Sequence, residues 1–128
     1  MLIVDDQEFD KLISQAMDEL PQKYIKGLKN VLITYEDQPS PEQREKLKLR
    51  CDQTLFGLYE GVPRTSRGAG YNMVLPDRIT IFKLPIVASV QTEAQLKEQV
   101  KHTLWHEIAH YYGLDHGQIH KIDGQHWK

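Results

Sequence analysis

The stretch HTLWHEIAHYYGLDH, residues 102–116, places histidines, acidic residues and apolar residues at the spacing of a helix. Upstream, Thr92 and Gln95 form a T-x-x-Q capping box, which predicts that the helix begins there. No Pro or Gly interrupts the chain until Gly113, where a left-handed residue would end the helix. The sequence therefore predicts one helix of about twenty residues, roughly 30 Å long.

The two sides of this helix differ. An apolar stripe repeats at helical spacing along Leu96, Val100, Leu104, Ile108 and either Tyr111 or Tyr112. Because each residue turns the helix by about 100°, His106 and His110 lie about 40° apart, on the side opposite Ile108. We therefore expect the histidines to line a cleft while the stripe packs into the core. His102 extends this column by one turn, and we expect it at the cleft wall or on the surface, not as a ligand.

The histidine spacing indicates a metal site. His106 and His110 are one turn apart, so both imidazoles can reach one zinc ion at about 2.1 Å. His110 also lies near the helix C-terminus, where the dipole favours a cation. Glu107 points about 100° away from His106, which disfavours it as a ligand but leaves it able to hold and deprotonate a water at the metal. Gly113 and His116 complete H-E-x-x-H-x-x-G-x-x-H, in which a chain reversal at the glycine returns a third imidazole.

The third ligand has alternatives. His116 has the spacing of the extended pattern, and we predict it as the ligand. Asp115 is adjacent and could instead hydrogen-bond to an imidazole and orient it, and His120 lies one helical turn further on. With His106, His110 and His116 as ligands, the sequence predicts one zinc ion per chain with an open fourth position.

The eleven-residue pattern resembles the zinc signature of the metzincin peptidases, but all three methionines precede His116, so the Met-containing turn of that family is missing. The chain more closely resembles the small bacterial zincin-like metallopeptidases, in FGLYEGVP (56–63), LPDRITIFKLPI (75–86) and residues 102–116. That resemblance implies a minimal zincin-like α+β fold, with a small mixed sheet and zinc-dependent peptidase activity. It also implies that the strand around 79–84 lies beside the active-site helix as an edge strand, which could bind an extended peptide.

The rest of the chain predicts a single domain over residues 1–128. After the capping residues Asp5 and Asp6, apolar residues at helical spacing predict a first helix that stops at Pro21. These residues are Phe9, Leu12, Ile13, Ala16, Met17 and Leu20. Residues 28–35 and 78–84 predict strands.

Two prolines predict where further elements end or begin. Pro85 ends or edges the second predicted strand, since it cannot donate to a sheet hydrogen bond. Ser40, Pro41 and Gln43 predict the start of a short exposed helix, with Pro at the first helical position.

Composition limits the partners and the compartment. The net charge is −2, which indicates neither a nucleic-acid nor a membrane-surface partner. Cys51 is the only cysteine, so neither an internal disulfide nor a cysteine-ligated zinc site is expected. The start MLIVDDQEFD lacks the features of a signal peptide, and no apolar run is long enough to cross a bilayer. These features predict a cytoplasmic protein, and they leave its oligomeric state open.

The predicted function is metal-assisted hydrolysis of a peptide or protein substrate, with Glu107 as the general base. Tyr71, Tyr111 and Tyr112 could each stabilise an oxyanion, but packing is the favoured role for each.

Two alternatives remain, both of them non-catalytic. One is a zinc-binding module with a fourth protein ligand from Asp115, His120 or Asp123, and the other is a partner-binding domain on a zincin scaffold. The presence of Glu107 favours the enzyme, because a structural zinc site needs no general base.

Overall fold

The structure is a computed structural model that describes residues 2–48, 56–61 and 77–114. These residues form both helices and a small sheet, which confirms the predicted α+β class. The helices are α1 (Asp6–Glu19), α2 (Gln22–Lys26), α3 (Pro41–Lys48), α4 (Lys83–Ser89) and α5 (Glu93–Tyr111). The strands are β1 (Val31–Glu36), β2 (Gly57–Glu60) and β3 (Asp77–Phe82).

The three strands form one small mixed sheet in the order β1-β3-β2. β1 runs parallel to β3, with Ile33 opposite Ile79, and β2 runs antiparallel to β3, with Leu58 opposite Thr80. Because successive side chains alternate between the two faces, Ile33, Ile79 and Tyr59 share one face. That face packs against the core formed with α1 and α5.

The strand that we expected at the edge of the sheet is its central strand. β3 pairs with β1 on one side and with β2 on the other, so the prediction of an edge strand around 79–84 is wrong. The strand does lie beside α5, as expected. Among the described strands, the outer one next to α5 is β2. The alternation of side chains did not indicate β2, because a strand of four residues that begins with Gly57 is too short to show it.

The end of β3 also differs from the prediction of a strand over 78–84. β3 ends at Phe82, and Lys83 and Leu84 are the first residues of α4. Pro85 lies in the first turn of that helix, where a missing N–H removes no intrahelical hydrogen bond. The Lys83 ammonium is paired with the Asp6 carboxylate at 2.9 Å, which fixes the start of α4 against the start of α1.

The first helix begins and ends as predicted. The Asp5 side chain caps α1 by accepting a hydrogen bond from the Glu8 N–H at 2.8 Å. The C-cap is Leu20, immediately before Pro21. The residues that α1 buries are Phe9, Ile13 and Ala16. The predicted helical spacing therefore identifies the face of α1 that packs against the core, with α5 as its main partner.

The short helix α3 begins with the expected capping box. The Ser40 N–H donates to Gln43 Oε1 at 2.9 Å, and the Gln43 N–H donates to Ser40 Oγ at 3.1 Å. Gln43 is itself buried, and its Nε2 donates to Glu60 Oε1 at 3.3 Å. This contact ties α3 to β2.

The long helix has the predicted start and the predicted end. Thr92 Oγ1 accepts from the Gln95 N–H at 3.1 Å, and Gln95 Oε1 accepts from the Thr92 N–H at 3.3 Å. Gly113 has a φ of 73°, and its N–H donates to His110 O at 3.0 Å, while the Leu114 N–H donates to Ala109 O at 3.1 Å. This pair of bonds is a Schellman motif, which satisfies carbonyls that the helix end would leave unpaired. No helix in the described part of the chain has both the length and the apolar character needed to span a membrane.

The core lies between the sheet and the two long helices. The predicted apolar stripe of α5 is buried, with at most 2% exposure at any of its residues, namely Leu96, Val100, Leu104, Ile108 and Tyr111. The buried face is wider than this stripe, since Trp105 and Ala109 are equally enclosed. Burying one large aliphatic side chain contributes about 1.5–3 kcal/mol, so this stripe is the main attachment of α5.

A bridge between α1 and α5 predicts an acid-sensitive contribution to stability. The Glu19 carboxylate lies 2.9 Å from Lys97 Nζ and 3.4 Å from Lys101 Nζ. The hydrogen bond from Lys97 is the largest effect that lowers the pKa of Glu19 below its ordinary value of 4.5. A carboxyl group with a lowered folded-state pKa stabilises the protein above its unfolded-state pKa, and that contribution is lost as the pH falls through the folded-state value.

We expect Glu19→Gln to lower the free energy of unfolding at pH 7 by less than about 1 kcal/mol, because the pair is partly exposed. The difference from the wild type should shrink as the pH falls below 4.5 and should be smaller in high salt. Urea unfolding at pH 7 and at acidic pH measures both effects. Asp18→Asn is the matched control on the same turn of α1, and an equal loss in that variant would contradict a specific bridge.

Candidate metal centre

The two predicted histidine ligands lie side by side on α5. The ring centroids of His106 and His110 are 4.9 Å apart, and the ring planes are inclined by 67°. Both residues are half-buried, in contrast to the enclosed apolar stripe of the same helix. The structure thus brings these two imidazoles together at the border between the core and the surface, as the helical spacing predicts.

Glu107 lies on the side of α5 that faces the sheet. Its side chain has no exposed area, and its Cγ lies close to Gly57 on β2. The Oε2 atom is buried and accepts no hydrogen bond from the described residues, although Glu107 does make another interaction. The sequence predicts this carboxylate beside a metal ion, and in the structure the protein interior surrounds it.

The absence of a side chain at Gly57 allows α5 to approach β2 closely. A Cβ atom at this position would lie 2.8 Å from Thr103 Cγ2 and 3.2 Å from Glu107 Cγ. Thr103 lies one helical turn before Glu107 and is also buried, and its Oγ1 accepts a hydrogen bond from Gln99 Nε2 at 3.1 Å. Gly57 and Thr103 therefore form the wall against which Glu107 packs.

Neither Gly57 nor Thr103 was predicted from the sequence to contact Glu107. A signal was present, since a glycine inside a strand often marks the close approach of another part of the chain. Nothing in the pattern indicated which part approaches, because Gly57 and Thr103 are far apart in the sequence.

The proposed third ligand lies beyond the described residues. His116 and its alternatives Asp115 and His120 fall there, as does Asp123. Within residues 2–48, 56–61 and 77–114, no three His, Cys, Asp or Glu side chains group together as a metal site. The described part of the chain contributes the two imidazoles of His106 and His110, and the helix that carries them ends in the left-handed residue Gly113.

The tyrosines next to His110 make packing contacts. Tyr111 exposes 1% of its surface, and its hydroxyl accepts a hydrogen bond from the Lys29 N–H at 3.3 Å. The Tyr112 hydroxyl donates to the carbonyl oxygen of Tyr24 at 2.6 Å. Both hydroxyls are thus bonded to the segment that leads into β1. Tyr71, the other tyrosine considered for oxyanion stabilisation, lies outside the described residues.

A cleft next to the histidine column includes His102. His102 is exposed and lies one turn before His106 on α5. The cleft has a volume of about 440 Å³ and is lined by Ser89, Val90, Gln95, Glu98, Gln99 and His102. Neither His106 nor His110 lines this cleft, so the exposure of His102 agrees with the expectation of a surface position, and its place at the wall of the metal site stays a prediction.

In the described part of the chain, a long helix carries a pair of adjacent histidines and packs against a small mixed sheet. The family profile of the zincin-like metallopeptidases matches residues 28–126, which is more than half of the chain. The chain therefore belongs to the zincin-like metallopeptidase family. Membership implies a zinc-binding domain of the hydrolase class that acts on peptides or proteins. No curated protein matches the chain.

The residues in place fit a zinc ion. Imidazole nitrogens are the most common zinc ligands in open catalytic sites, and His106 and His110 are adjacent on one half-exposed helix face. Glu107 follows His106 directly in the sequence, and its side chain packs against Gly57 on β2. The donor set and the geometry thus agree with the family.

The contact at Gly57 gives a direct test of this arrangement. We expect Gly57→Ala to lower the free energy of unfolding by about 1–3 kcal/mol, because the new methyl group overlaps Thr103 Cγ2 and presses on Glu107. Thr103→Ser removes the overlapping methyl group and keeps the hydroxyl that Gln99 binds. The double variant Gly57→Ala/Thr103→Ser should therefore recover part of the loss.

Urea denaturation of the wild type, both single variants and the double variant measures these differences. A Gly57→Ala protein as stable as the wild type would show that the helix does not approach the strand this closely. If the double variant lost as much free energy of unfolding as the two single variants together, the contact with the Thr103 methyl group would be excluded as the cause of the loss in Gly57→Ala.

Proposed function

We propose that this protein is a zinc-dependent metallopeptidase that hydrolyses peptide bonds with one zinc ion per chain. The observation that carries the proposal is the pairing of His106 and His110 on α5, with Glu107 next to them and packed against β2. The proposed substrates are peptides or proteins of the cytoplasm, and no feature of the chain favours a nucleic acid or a membrane.

His106, His110 and His116 would hold the ion through their imidazole nitrogens. When bound, zinc supplies a Lewis acid that lowers the pKa of water towards neutrality and polarises the scissile carbonyl. His106 and His110 already share one helix face, so only the segment after Gly113 has to bring its donor to them. His116 has the spacing for that role, with Asp115 and His120 as the alternatives.

Glu107 would act as the general base. Its carboxylate would accept a proton from the attacking water and then deliver it to the nitrogen of the leaving amine. The protein encloses the side chain, which keeps bulk water away from the carboxylate and strengthens its electrostatic interactions. The contacts with Gly57 and Thr103 would limit its movement and so hold the base in one place.

Replacing the general base should separate zinc binding from turnover. We expect Glu107→Gln to retain the zinc content of the wild type and to lose at least about 100-fold in the rate of peptide hydrolysis. Elemental analysis measures the metal, and mass spectrometry of a digested peptide library measures the activity.

Glu98→Gln is the matched control, because Glu98 lies on the same helix with its side chain 63% exposed. It should retain both zinc and activity. A Glu107→Gln protein that hydrolyses peptides at the wild-type rate would refute the assignment of the base. A wild type that binds zinc but cleaves no peptide would favour the non-catalytic zinc-binding domain.

The ligand set can be tested without a substrate. We expect one zinc per chain in the untagged wild type, and loss of that zinc in His110→Ala and in His116→Ala. His102→Ala should keep it, since His102 is exposed and is not proposed as a ligand. Elemental analysis of the four proteins decides the matter.

Each other result has a definite meaning. A wild type that takes up no zinc, even when zinc is supplied, would refute the metal site. Retention of zinc in His116→Ala, with loss in Asp115→Ala or His120→Ala, would move the third ligand to that residue. A fourth protein ligand among Asp115, His120 and Asp123 would fill the open position of the zinc ion and refute the proposed peptidase activity.

A further inference from the structure

The last turn of α5 is bound to a distant part of the chain through Tyr112. Tyr112 is the C-cap of the helix, and its hydroxyl donates to Tyr24 O at 2.6 Å. The rings of Tyr24 and Tyr112 meet edge to face, with centroids 5.3 Å apart. Gly27 completes the contact, because a Cβ atom there would collide with the Tyr112 hydroxyl. The fit leaves no room for a side chain at residue 27.

The neighbouring tyrosine makes a second connection to the same segment. The Tyr111 hydroxyl accepts from the Lys29 N–H at 3.3 Å, and its ring packs edge to face on Tyr59, with centroids 6.1 Å apart. Tyr24 in turn packs on Trp105, which lies about two turns before Tyr112 on α5, with ring centroids 4.9 Å apart. Residues 24–29 thus contact the helix on both sides of the proposed ligands His106 and His110.

The position of this contact along the chain suggests its purpose. The end of a helix frays unless something holds it, since its last carbonyls lack intrahelical partners. His110 is in the last turn of α5, and the proposed third ligand follows Tyr112 by four residues. A fixed Tyr112 therefore holds the last turn of α5, which carries the proposed ligand His110 and precedes the segment that contains the proposed third ligand.

We propose that Tyr112 is a positioning residue, which the segment 24–29 holds so that the metal site is preorganised before zinc binds. This inference rests on the proposed zinc site. A tether that exists without the metal reduces the conformational freedom that binding must remove, and so raises the affinity. A contact that only stabilised the fold would contribute equally with and without the metal and would leave the affinity unchanged.

Removing one hydroxyl group separates these two roles. We expect Tyr112→Phe to weaken zinc binding by about 2- to 10-fold, the range for the loss of one neutral hydrogen bond. Competition with a chromophoric chelator measures the zinc Kd of the full-length protein, and circular dichroism shows that the metal-free variant is folded. Tyr35→Phe is the matched control, because it removes a hydroxyl that donates to Asp6 O at 3.1 Å, far from the end of α5. Its zinc Kd should equal that of the wild type.

A second pair of variants perturbs the same contact from the opposite side. Gly27→Ala should also raise the zinc Kd, because its methyl group displaces the Tyr112 hydroxyl. In Gly27→Ala/Tyr112→Phe the displaced oxygen is gone, and the methyl group lies at an ordinary 3.4 Å from Tyr112 Cζ. The fold increase in zinc Kd of the double variant should therefore be smaller than the product of the fold increases of the two single variants.

The outcomes distinguish this inference from the proposed function. A wild type that binds no zinc refutes both. A wild type that binds zinc, with Tyr112→Phe and Gly27→Ala folded and unchanged in Kd, refutes the positioning role and leaves the zinc site standing. Higher Kd values in these two variants, but not in Tyr35→Phe, support it. Should Gly27→Ala fail to fold, the Kd of Tyr112→Phe decides alone.

Discussion

At Gly57 the backbone of β2 comes so close to α5 that the place of a Cβ atom is already filled by Thr103 and Glu107. The other features of the site depend on this approach. It sets the distance between helix and sheet, and it turns one face of α5 inward, with Glu107 among the core residues. The same rotation leaves His106 and His110 half-buried at the border with solvent. The approach at Gly57 thus accompanies an enclosed position for the proposed base and a partly accessible one for the proposed ligands.

The long helix combines three environments that seldom occur on one element. An apolar stripe anchors it to the sheet, the proposed base is enclosed at β2, and the paired imidazoles remain accessible. Burial of a polar group is unfavourable unless the surroundings compensate it, so an enclosed glutamate is unlike the usual residue of a core. Functional sites tolerate such an arrangement because a base must be held in place and shielded from bulk water.

Much of α5 could be predicted, because its determinants are local. The capping box at Thr92, the apolar spacing and the glycine at 113 act within a few residues, and the structure shows each of them. The strand β2 was missed because four residues carry too little alternation, and the central place of β3 was missed with it. The enclosure of Glu107 and the bond between Tyr112 and Tyr24 could not be predicted either. Both depend on segments that are distant in the sequence. Helical spacing predicts the direction in which a side chain points from the helix axis, but it does not predict which residue of another segment that side chain contacts.

The packing of α1 against α5 has a consequence for the order in which the protein is made. Ion pairs join Glu19 to Lys97 and Lys101, so the partners emerge from the ribosome some eighty residues apart. The parallel pairing of β1 with β3 also waits for a later segment. Contacts between distant segments close large loops and slow folding. The apolar face of α1 therefore stays exposed during synthesis until α5 is made, and α5, which carries the histidines, is the last of the described elements to join the core.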